Sequence, residues 1–247
     1  MRIKDGKGYQ ERSYRNLLQD QGFVSFQVTV KETDLYIKAA QDLREKARQS
    51  VMHRRYQLEQ YIFDHPEFFR SLVPLAADEF APPMVRDMIQ AAQYAGVGPM
   101  AAIAGAMAEF VGKDLLGESA EVIVENGGDI FIHSPRELKV GIFAGSSPLS
   151  FRVGLRVPGA NHGWGVCTSS GTVGPSLSFG GADAVCVLSP STSLADAAAT
   201  AVGNLVSSSA NLSKGLEKAK TIEGLTGVVI ILGDKLGAWG EVELIEI

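Results

Sequence analysis

The stretch SPSTSLADAAATAVGNLV, residues 189–206, constrains the fold of this chain more than any other part of the sequence. It follows a strand-like run, AVCVLS, and its Pro, Ser and Thr residues predict a turn that opens a helix. One side of that helix is almost entirely alanine. Another backbone or a flat ligand can therefore approach that side closely.

Two polar side chains interrupt the alanines. Asp196 and Thr200 are four residues apart and project from one face of the helix. One interpretation is a site for a hard cation such as Mg2+, which takes oxygen ligands and keeps part of its water. The other is structural: Ser193-x-x-Asp196 fits a capping box with Asp in place of Glu or Gln, and Thr200 bonds back to a carbonyl. This stretch alone favours the structural interpretation.

Length, composition and charge exclude several classes of protein. A chain of 247 residues that is 45% hydrophobic can bury a sizeable core, as one large domain or two small ones. A net charge of −5 argues against general nucleic-acid affinity. No apolar run approaches the roughly 18 residues of a membrane span, and no secretory signal is visible. Two cysteines define no disulfide framework, so we expect a reduced, cytoplasmic protein without nucleic-acid or membrane partners.

Strands and helices fall in segregated runs with several hairpins. This pattern predicts an α+β fold with mixed or mainly antiparallel sheets and packed Ala/Gly-rich helices. Residues 1–20 are predicted to form a basic arm, and residues 21–247 a single domain, with a division into two subdomains near residue 134 as an option. Gly105 is unusual inside the helix predicted over residues 100–116. Tight packing and ligand contact both explain it.

A hairpin is predicted around Asn126-Gly127-Gly128, between the strands EVIVE and DIFIH. The Asn-Gly pair is the strongest short hairpin signal, and a hairpin accounts for these residues fully. A functional interpretation also exists, because two glycines leave bare backbone where a nucleotide could lie, and Asp129 could accept a hydrogen bond from it. Before any resemblance is considered, the hairpin alone is favoured.

Residues 159–181 are rich in Gly and Ser and are predicted to be a loop too long for an idle connection. Within it the sequence TSSG, residues 168–171, predicts a hydroxyl-dense turn that suits a phosphate. Neither G-x-x-x-x-G-K-[ST] nor a G-x-G-x-x-G after a strand is present. Cys167 adjoins the turn. As a nucleophile it would need a nearby histidine such as His162, and a structural role is the commoner one.

Three segments, in order, resemble the ApbE-like family. They are residues 108–132, which contain ENGGDIFI, the turn VCTSSG at 166–171, and ADAVCVLS followed by LADAAATAVGN at 182–204. Characterised members of that family are FAD:protein FMN transferases. The resemblance covers roughly residues 95–206 and is closest to a small uncharacterised cytoplasmic branch. It implies an ApbE-like fold.

The resemblance also implies site residues. In the family, the aspartate and threonine of the Ala-rich helix bind Mg2+, which holds the pyrophosphate of FAD, so a metal role for Asp196 and Thr200 becomes favoured over the cap. The family's Gly-Gly-Asp and Thr-Ser turns line the flavin-nucleotide site. The implied nucleotide-binding residues are Asn126, Gly127, Gly128, Asp129, Thr168, Ser169, Ser170 and Gly171.

The chain departs from the family pattern at two points. Ala104 replaces the lysine of the family's I-A-K-G segment, which weakens any phosphate contact there. The family's His-x-x-Asp-Pro-x-T-G segment, whose histidine is implicated in transfer, is also missing, because residues 172–182 contain no histidine. General-base help is typically worth about 10²- to 10⁴-fold. His162 or His133 would substitute only if the fold brings one of them to the phosphates.

Three functions therefore remain open. The first is an enzyme that binds FAD or a related dinucleotide with Mg2+ and cleaves or transfers at the pyrophosphate. The second is a flavin-nucleotide binding protein without chemistry, which the missing histidine favours. The third is a structural or assembly protein, against which the density of Gly, Ser and Thr stands. A small-molecule nucleotide is the expected ligand, and a homodimer is compatible with the sequence.

Overall fold

Three layers make up the structure, a computed structural model that describes residues 22–172 and 180–247. Helices cover one face of an eight-stranded sheet, and a three-stranded sheet covers the other face. Every strand pair in the described part of the chain is antiparallel. The predicted α+β class with antiparallel sheets is confirmed. The predicted arm, residues 1–20, lies outside the described residues.

The large sheet has the strand order β1-β2-β3-β4-β7-β8-β9-β10, and the small sheet has the order β11-β6-β5. Strand β11 begins and ends with a glutamate and is an edge strand of the small sheet. The strands are β1 (Val24–Val30), β2 (Thr33–Ala39), β3 (Val122–Asn126), β4 (Asp129–Ser134), β5 (Leu138–Gly141), β6 (Val153–Val157), β7 (Ala160–Ser169), β8 (Ala184–Ser189), β9 (Gly227–Leu232), β10 (Lys235–Gly240) and β11 (Glu243–Glu246).

The helices begin and end at the expected signals. Pro66 and Pro83 occupy first helical positions, where a missing N–H costs nothing. Gly96, with φ of 79°, ends α3 in the left-handed conformation. The helices are α1 (Arg44–Asp64), α2 (Pro66–Arg70), α3 (Pro83–Ala95), α4 (Ile103–Leu115), α5 (Thr192–Gly203) and α6 (Leu212–Lys220), with short 3-10 helices at Pro99–Ala102 and Ser209–Asn211.

Strand β8 lies in the middle of the core and is buried along its whole length. Val185 and Val187 point to the helical layer, whereas Cys186 and Leu188 point to the three-stranded sheet. Successive side chains of a strand alternate between its faces, so an apolar run without alternation is what burial on both faces requires.

Helices α4 and α5 are the inner helices of their layer. Helix α5 packs against β7, β8, α3 and α4, and α4 packs against β3 and β4. Close approach requires residues without side chains: a Cβ at Gly165 of β7 would lie 2.4 Å from Cα of Thr192 in α5. The alanine side of α5 is therefore a packing surface, as the sequence predicts.

The loop predicted over 159–181 is wrong in its first part, because residues 160–169 form the long strand β7, and residues 173–179 lie outside the described residues. Residues 235–240, which also contain glycine, form β10. The glycines that indicate loops are packing positions. A Cβ at Gly163 would lie 2.9 Å from the ring of Phe131, and one at Gly237 would lie 3.2 Å from Leu216.

Strands β4 and β7 lie on opposite sides of residue 134 in the sequence and pair directly in the large sheet. The division into subdomains near that residue stays a prediction. Within the described ranges, no single helix is long and apolar enough to cross a membrane.

Gly165→Ala is expected to destabilise the protein by about 1–3 kcal/mol, because the added methyl meets the α5 backbone rather than a flexible side chain. Gly117→Ala is the matched control, since a Cβ there has no atom within 4 Å, and it should change stability by less than about 0.5 kcal/mol. Urea unfolding of both variants measures the difference. Equal stability of the two variants would contradict the close contact between β7 and α5.

Candidate functional site

Helices α4 and α5 each place a carboxylate at the N-terminus of the other helix. Asp196 of α5 accepts a hydrogen bond from the N–H of Gly105 (2.8 Å) and another from that of Ala104, in the first turn of α4. Glu109 of α4 accepts from the N–H groups of Thr192 (2.7 Å) and Ser193 (3.4 Å), in the first turn of α5. First-turn N–H groups have no partner inside their own helix and favour negative charge. Each helix thus supplies the hydrogen-bond acceptor that the first turn of the other helix lacks.

The capping-box interpretation of Ser193-x-x-Asp196 is wrong. The N-cap of α5 is Ser191, whose side chain accepts from the N–H of Leu194 at 3.2 Å. Ser193 instead donates its hydroxyl to the carboxylate of Asp87 on α3. Asp196 lies too far along α5 to cap its own helix, and it caps α4.

Asp129, at the start of β4, lies beside Asp196. It is 8% exposed, accepts from the N–H of Thr168 and contacts the thiol of Cys167. Burial raises the pKa of Asp129 well above its usual value, and the nearby charge of Asp196 raises it further. Burial raises the pKa of Asp196 to about 7, against the lowering effect of the two N–H groups of α4. We call Asp129 and Asp196 the carboxylate pair. A proton shared between them or a bound cation would reduce the repulsion between their negative charges.

The predicted hairpin is confirmed, and it positions Asp129 beside Asp196. Asn126 pairs with Asp129 across a turn of Gly127 and Gly128, whose φ values of 69° and 106° are in the left-handed range that favours glycine. The side-chain amide of Asn126 donates to the carbonyl of Ala104 at 3.0 Å. The tip of the hairpin is therefore attached to the beginning of α4.

The predicted TSSG turn starts as the end of β7. Thr168 meets Asp129 through its N–H, and Ser169 faces α5, where a Cβ at Gly203 would lie 3.6 Å from its hydroxyl. Ser170 and Gly171 continue past the strand, and the N–H of Gly171 donates to the carbonyl of Ala182 at 2.9 Å. Of this turn, the backbone of Thr168 thus adjoins the carboxylate pair, Ser169 lies beside the C-terminal end of α5, and the other two residues lead toward β8.

Thr200 lies one turn beyond Asp196 on α5 and is half-buried. In the described part of the chain, no three His, Cys, Asp or Glu side chains form a metal-binding cluster. A cation at the carboxylate pair would complete its shell with oxygens from a hydroxyl, the backbone, water or a phosphate. Mg2+ commonly binds through one or two carboxylates in this way.

The histidines proposed as substitutes lie away from the pair. His133 follows Asp129 by four residues on β4, about 13 Å at the usual rise of a strand, and its ring contacts the carbonyls of Ala120 and Asn161 at 3.1 Å each. His162 is near the other end of β7 from Thr168 and packs edge-on against Trp164. The expectation that either could replace the missing histidine is therefore not met.

Cys167 is structural. Its side chain is fully buried, its thiol lies 3.4 Å from the carbonyl of Thr192, and burial raises its pKa well above the usual value. A thiol in such surroundings is a poor nucleophile. On α1, Arg54 pairs with Asp114 at 2.7 Å and Arg55 pairs with Glu32 at 2.6 Å, so these two guanidinium groups neutralise carboxylates of the chain itself.

Sequence reasoning missed Glu109. It is 5% exposed and holds the N–H groups of α5 with one carboxylate oxygen and Lys113, at 2.5 Å, with the other. The sequence did indicate that Glu109 has a buried partner, because this glutamate stands alone in an otherwise apolar stretch, MAAIAGAMAEF. A lone acid on a buried helix needs a partner.

Comparison with known proteins adds three findings. Residues 15–223 match the family model described as AbpE bacteria. A UPF0280 protein of Methanococcus aeolicus is 40% identical over 221 residues, 87% of this chain and 89% of the relative. The flavinyl transferase ApbE of Pseudomonas stutzeri, in its apo form, aligns with a TM-score of 0.57 at 16% identity, covering 88% of this chain and 94% of that one. The ApbE protein of Thermotoga maritima aligns with the same TM-score at 12% identity, covering 89% and 97%.

These structural neighbours share the fold of this chain. At such identities a likeness carries no activity from one protein to the other. Activity has to be argued from the carboxylate pair and the residues around it.

The metal-free protein should lose stability as pH rises from about 4 to about 7. An aspartate loses its proton near pH 3.9 in the unfolded chain but near 7 at Asp196 in the folded one, so the folded state holds the proton more tightly. That advantage is complete below pH 4 and is lost as pH passes through 7. Asp129, whose pKa is also raised, contributes to the same fall. Asp196→Asn removes one of the two titrating groups and also the charge that raises the pKa of Asp129, so it should make the fall clearly shallower.

Urea unfolding at several pH values in EDTA measures the effect. Asp42→Asn, at an exposed position, is the control and should keep the slope of the original protein. If Asp196→Asn kept that slope as well, a different group would be responsible for the pH dependence.

Proposed function

This chain belongs to the family described as AbpE bacteria, and we propose that it binds FAD or a closely related flavin dinucleotide together with Mg2+ at the carboxylate pair. One observation carries the proposal. Asp129 and Asp196, far apart in the sequence, meet beside the N-terminus of α4 with raised pKa values. A buried acid and a half-buried acid that repel each other are a costly arrangement unless positive charge is brought to them.

The donors at this place fit the ion. All of them are oxygens, which a hard cation prefers, and the hydroxyl of Thr200 lies on the same helix face as Asp196. Two carboxylates leave coordination positions for water and phosphate, as Mg2+ sites that serve nucleotides commonly do. When bound, Mg2+ would neutralise charge on the pyrophosphate and orient its leaving group.

The surrounding residues suit a flat, phosphorylated ligand. Gly127 and Gly128 present backbone without side chains at the tip of the β3–β4 hairpin. At the end of β7, Ser169 lies on the helical face beside α5, whereas the hydroxyl of Thr168 bonds Cys186 on the opposite face and only the backbone of Thr168 reaches Asp129. Ala104 supplies no positive charge, so the metal would be the main counterion of the phosphates. On the sequence grounds given above, we place the protein in the cytoplasm.

Binding without turnover is our first choice. The chain contains four histidines, and those nearest in sequence to the site strands, His133 and His162, lie toward the other ends of β4 and β7. His53 and His65 belong to α1 and to its C-terminal junction. A second candidate is Mg2+-dependent cleavage or FMN transfer, suggested by the flavin transferases among the structural neighbours.

Asp196→Asn and Thr200→Val should each weaken Mg2+-dependent FAD binding by at least about tenfold while keeping the shape of the side chain. The first removes the negative charge and one carboxylate oxygen, and the second removes the hydroxyl oxygen. Titration calorimetry with FAD, with and without Mg2+, measures the loss. Asp87→Asn is the matched control, since this carboxylate contacts α5 through Ser193 but lies outside the carboxylate pair, and it should bind normally. The absence of FAD binding by the original protein would rule the proposal out.

Release of AMP separates the two candidates. A binder should leave FAD intact with Mg2+ over hours, and chromatography of the nucleotides should show no AMP. Turnover that disappears in Asp196→Asn but persists in Asp87→Asn would instead establish the enzymatic candidate.

A further inference from the structure

A second acid lies beside the first turn of α5 and takes no part in the carboxylate pair. Asp87 of α3 is half-buried, and its Oδ2 accepts a hydrogen bond from the hydroxyl of Ser193. Its other oxygen, Oδ1, accepts none from the described residues. Burial raises the pKa of Asp87, against the lowering effect of Ser193, and the charge of Glu109 raises it further.

The charge of Asp87 has no direct counterion in the described part of the chain. Lys113 acts on it only through its charge, because the ammonium group of Lys113 is paired with Glu109 at 2.5 Å. No other basic side chain among the described residues forms an ion pair with Asp87. A carboxylate that is partly removed from water and left without a partner favours the approach of a cation.

Asp87 lines a cavity between α3 and the beginning of α5. The volume of the cavity is about 160 Å³. A cavity of about 150 Å³ accommodates a molecule of the size of benzene, so this one has room for about six non-hydrogen atoms. Gln90 and Tyr94 are exposed, so the cavity opens to the surface. The lining residues are Asp87, Gln90, Ala91, Tyr94, Ser191 and Leu194.

The groups around the cavity exclude an anion. A helix N-terminus commonly attracts one, but here the N–H groups of Thr192 and Ser193 donate to Glu109, and that of Leu194 donates to Ser191. Among the described residues that line the cavity, none is basic. The first turn of α5 therefore has no free donor for an anion, and Asp87 repels it.

The lining also distinguishes between kinds of cation. Ala91 and Leu194 present carbon to the cavity, which contributes nothing to a small metal ion that needs several oxygen ligands. Tyr94 adds an aromatic ring, whose face attracts an organic cation. We propose that this cavity binds an alkylammonium group, with Asp87 as its counterion.

The polar atoms of the lining match a primary ammonium in number. Such a group has three N–H donors and no acceptor. The cavity offers Oδ1 of Asp87, the side-chain carbonyl of Gln90 and the hydroxyl of Ser191 as acceptors. The carbon chain of the amine would then lie against Ala91 and Leu194, which removes apolar surface from water.

Titration of the full, metal-free chain with n-butylammonium chloride tests the proposal. Two-dimensional amide spectra at pH 8 and constant ionic strength follow the binding, and the amine stays protonated there because an alkylammonium group has a pKa of about 10.4. We expect a dissociation constant on the order of 1 mM. The shifts should concentrate at the side-chain amide of Gln90 and the N–H groups of Ser191 and Leu194.

Ligands of the same chain length test the charge. Neither 1-butanol nor butyrate pairs with a carboxylate, so each should bind at least about tenfold more weakly than butylammonium. Shifts with 1-butanol equal to those with butylammonium would overturn the proposal, and so would the absence of shifts around the cavity with butylammonium.

Variants test the residues. Asp87→Asn should weaken butylammonium binding by at least about tenfold because it removes the negative charge, whereas its amide oxygen still accepts from Ser193. Tyr94→Ala should weaken binding about two- to fivefold by removing the ring. Tyr94 is 48% exposed, so its loss leaves the core intact. Asp234→Asn is the matched control, since this exposed carboxylate lies outside the lining and should leave binding unchanged. Unchanged binding by Asp87→Asn would contradict the assignment of the counterion.

A free amine and a lysine side chain carry the same ammonium group, and a second titration separates these two sources. Nα-acetyl-lysine methylamide presents a butylammonium group on a peptide backbone. Binding of butylammonium alone would assign the cavity to a free amine, whereas equal binding of both would assign it to a lysine of another protein, and either result supports an ammonium site. None of these measurements depends on flavin or added metal, so their outcome is independent of FAD binding.

Discussion

The exchange of carboxylates between α4 and α5 is the interaction on which the rest of the structure depends. Asp196 holds the first turn of α4, and Glu109 holds the first turn of α5. Removing either would leave buried N–H groups without partners, which is costly in a packed interior. The crossing also needs Gly105, because a Cβ there would lie 2.4 Å from the carbonyl oxygen of Thr192. Position and chemistry of the two helices are thus set by the same few residues.

Because of this arrangement, a structural role and a functional role of Asp196 are not alternatives. The carboxylate is structural, since it caps a helix, but the helix belongs to another part of the chain. Its position as a cap also brings it to Asp129, so the same geometry creates a carboxylate pair with raised pKa values. A structural role and a metal role are therefore compatible at one side chain, and the helix N-terminus favours its ionised form.

Predictions from local patterns succeeded where the pattern reports a local cause. The Asn-Gly-Gly hairpin formed as expected because positive φ values are needed at its two central residues. Proline and glycine also marked the ends of α3. The prediction of a loop over 159–181 was wrong for the residues of β7, because glycine occurs both in turns and at close packing contacts. Gly163 and Gly165 carry no side chain so that Phe131 and α5 can approach, and a single sequence does not distinguish this use from a turn.

By itself the sequence determined the α+β class, the antiparallel hairpins and the Ala-rich helix that organises the core. These follow from periodicity, turn chemistry and residue type, which act over a few positions. Its resemblance to a known family is what made Asp129, Asp196 and Thr200 the favoured site candidates. Only the tertiary structure decided which partners these residues have. In the fold, Asp196 accepts a hydrogen bond from the N–H of Gly105, and Glu109 is buried against the first turn of α5. His133 lies away from the carboxylate pair. Such contacts join residues that are distant in the chain, and their energies depend on burial and on neighbouring charges that no local pattern records.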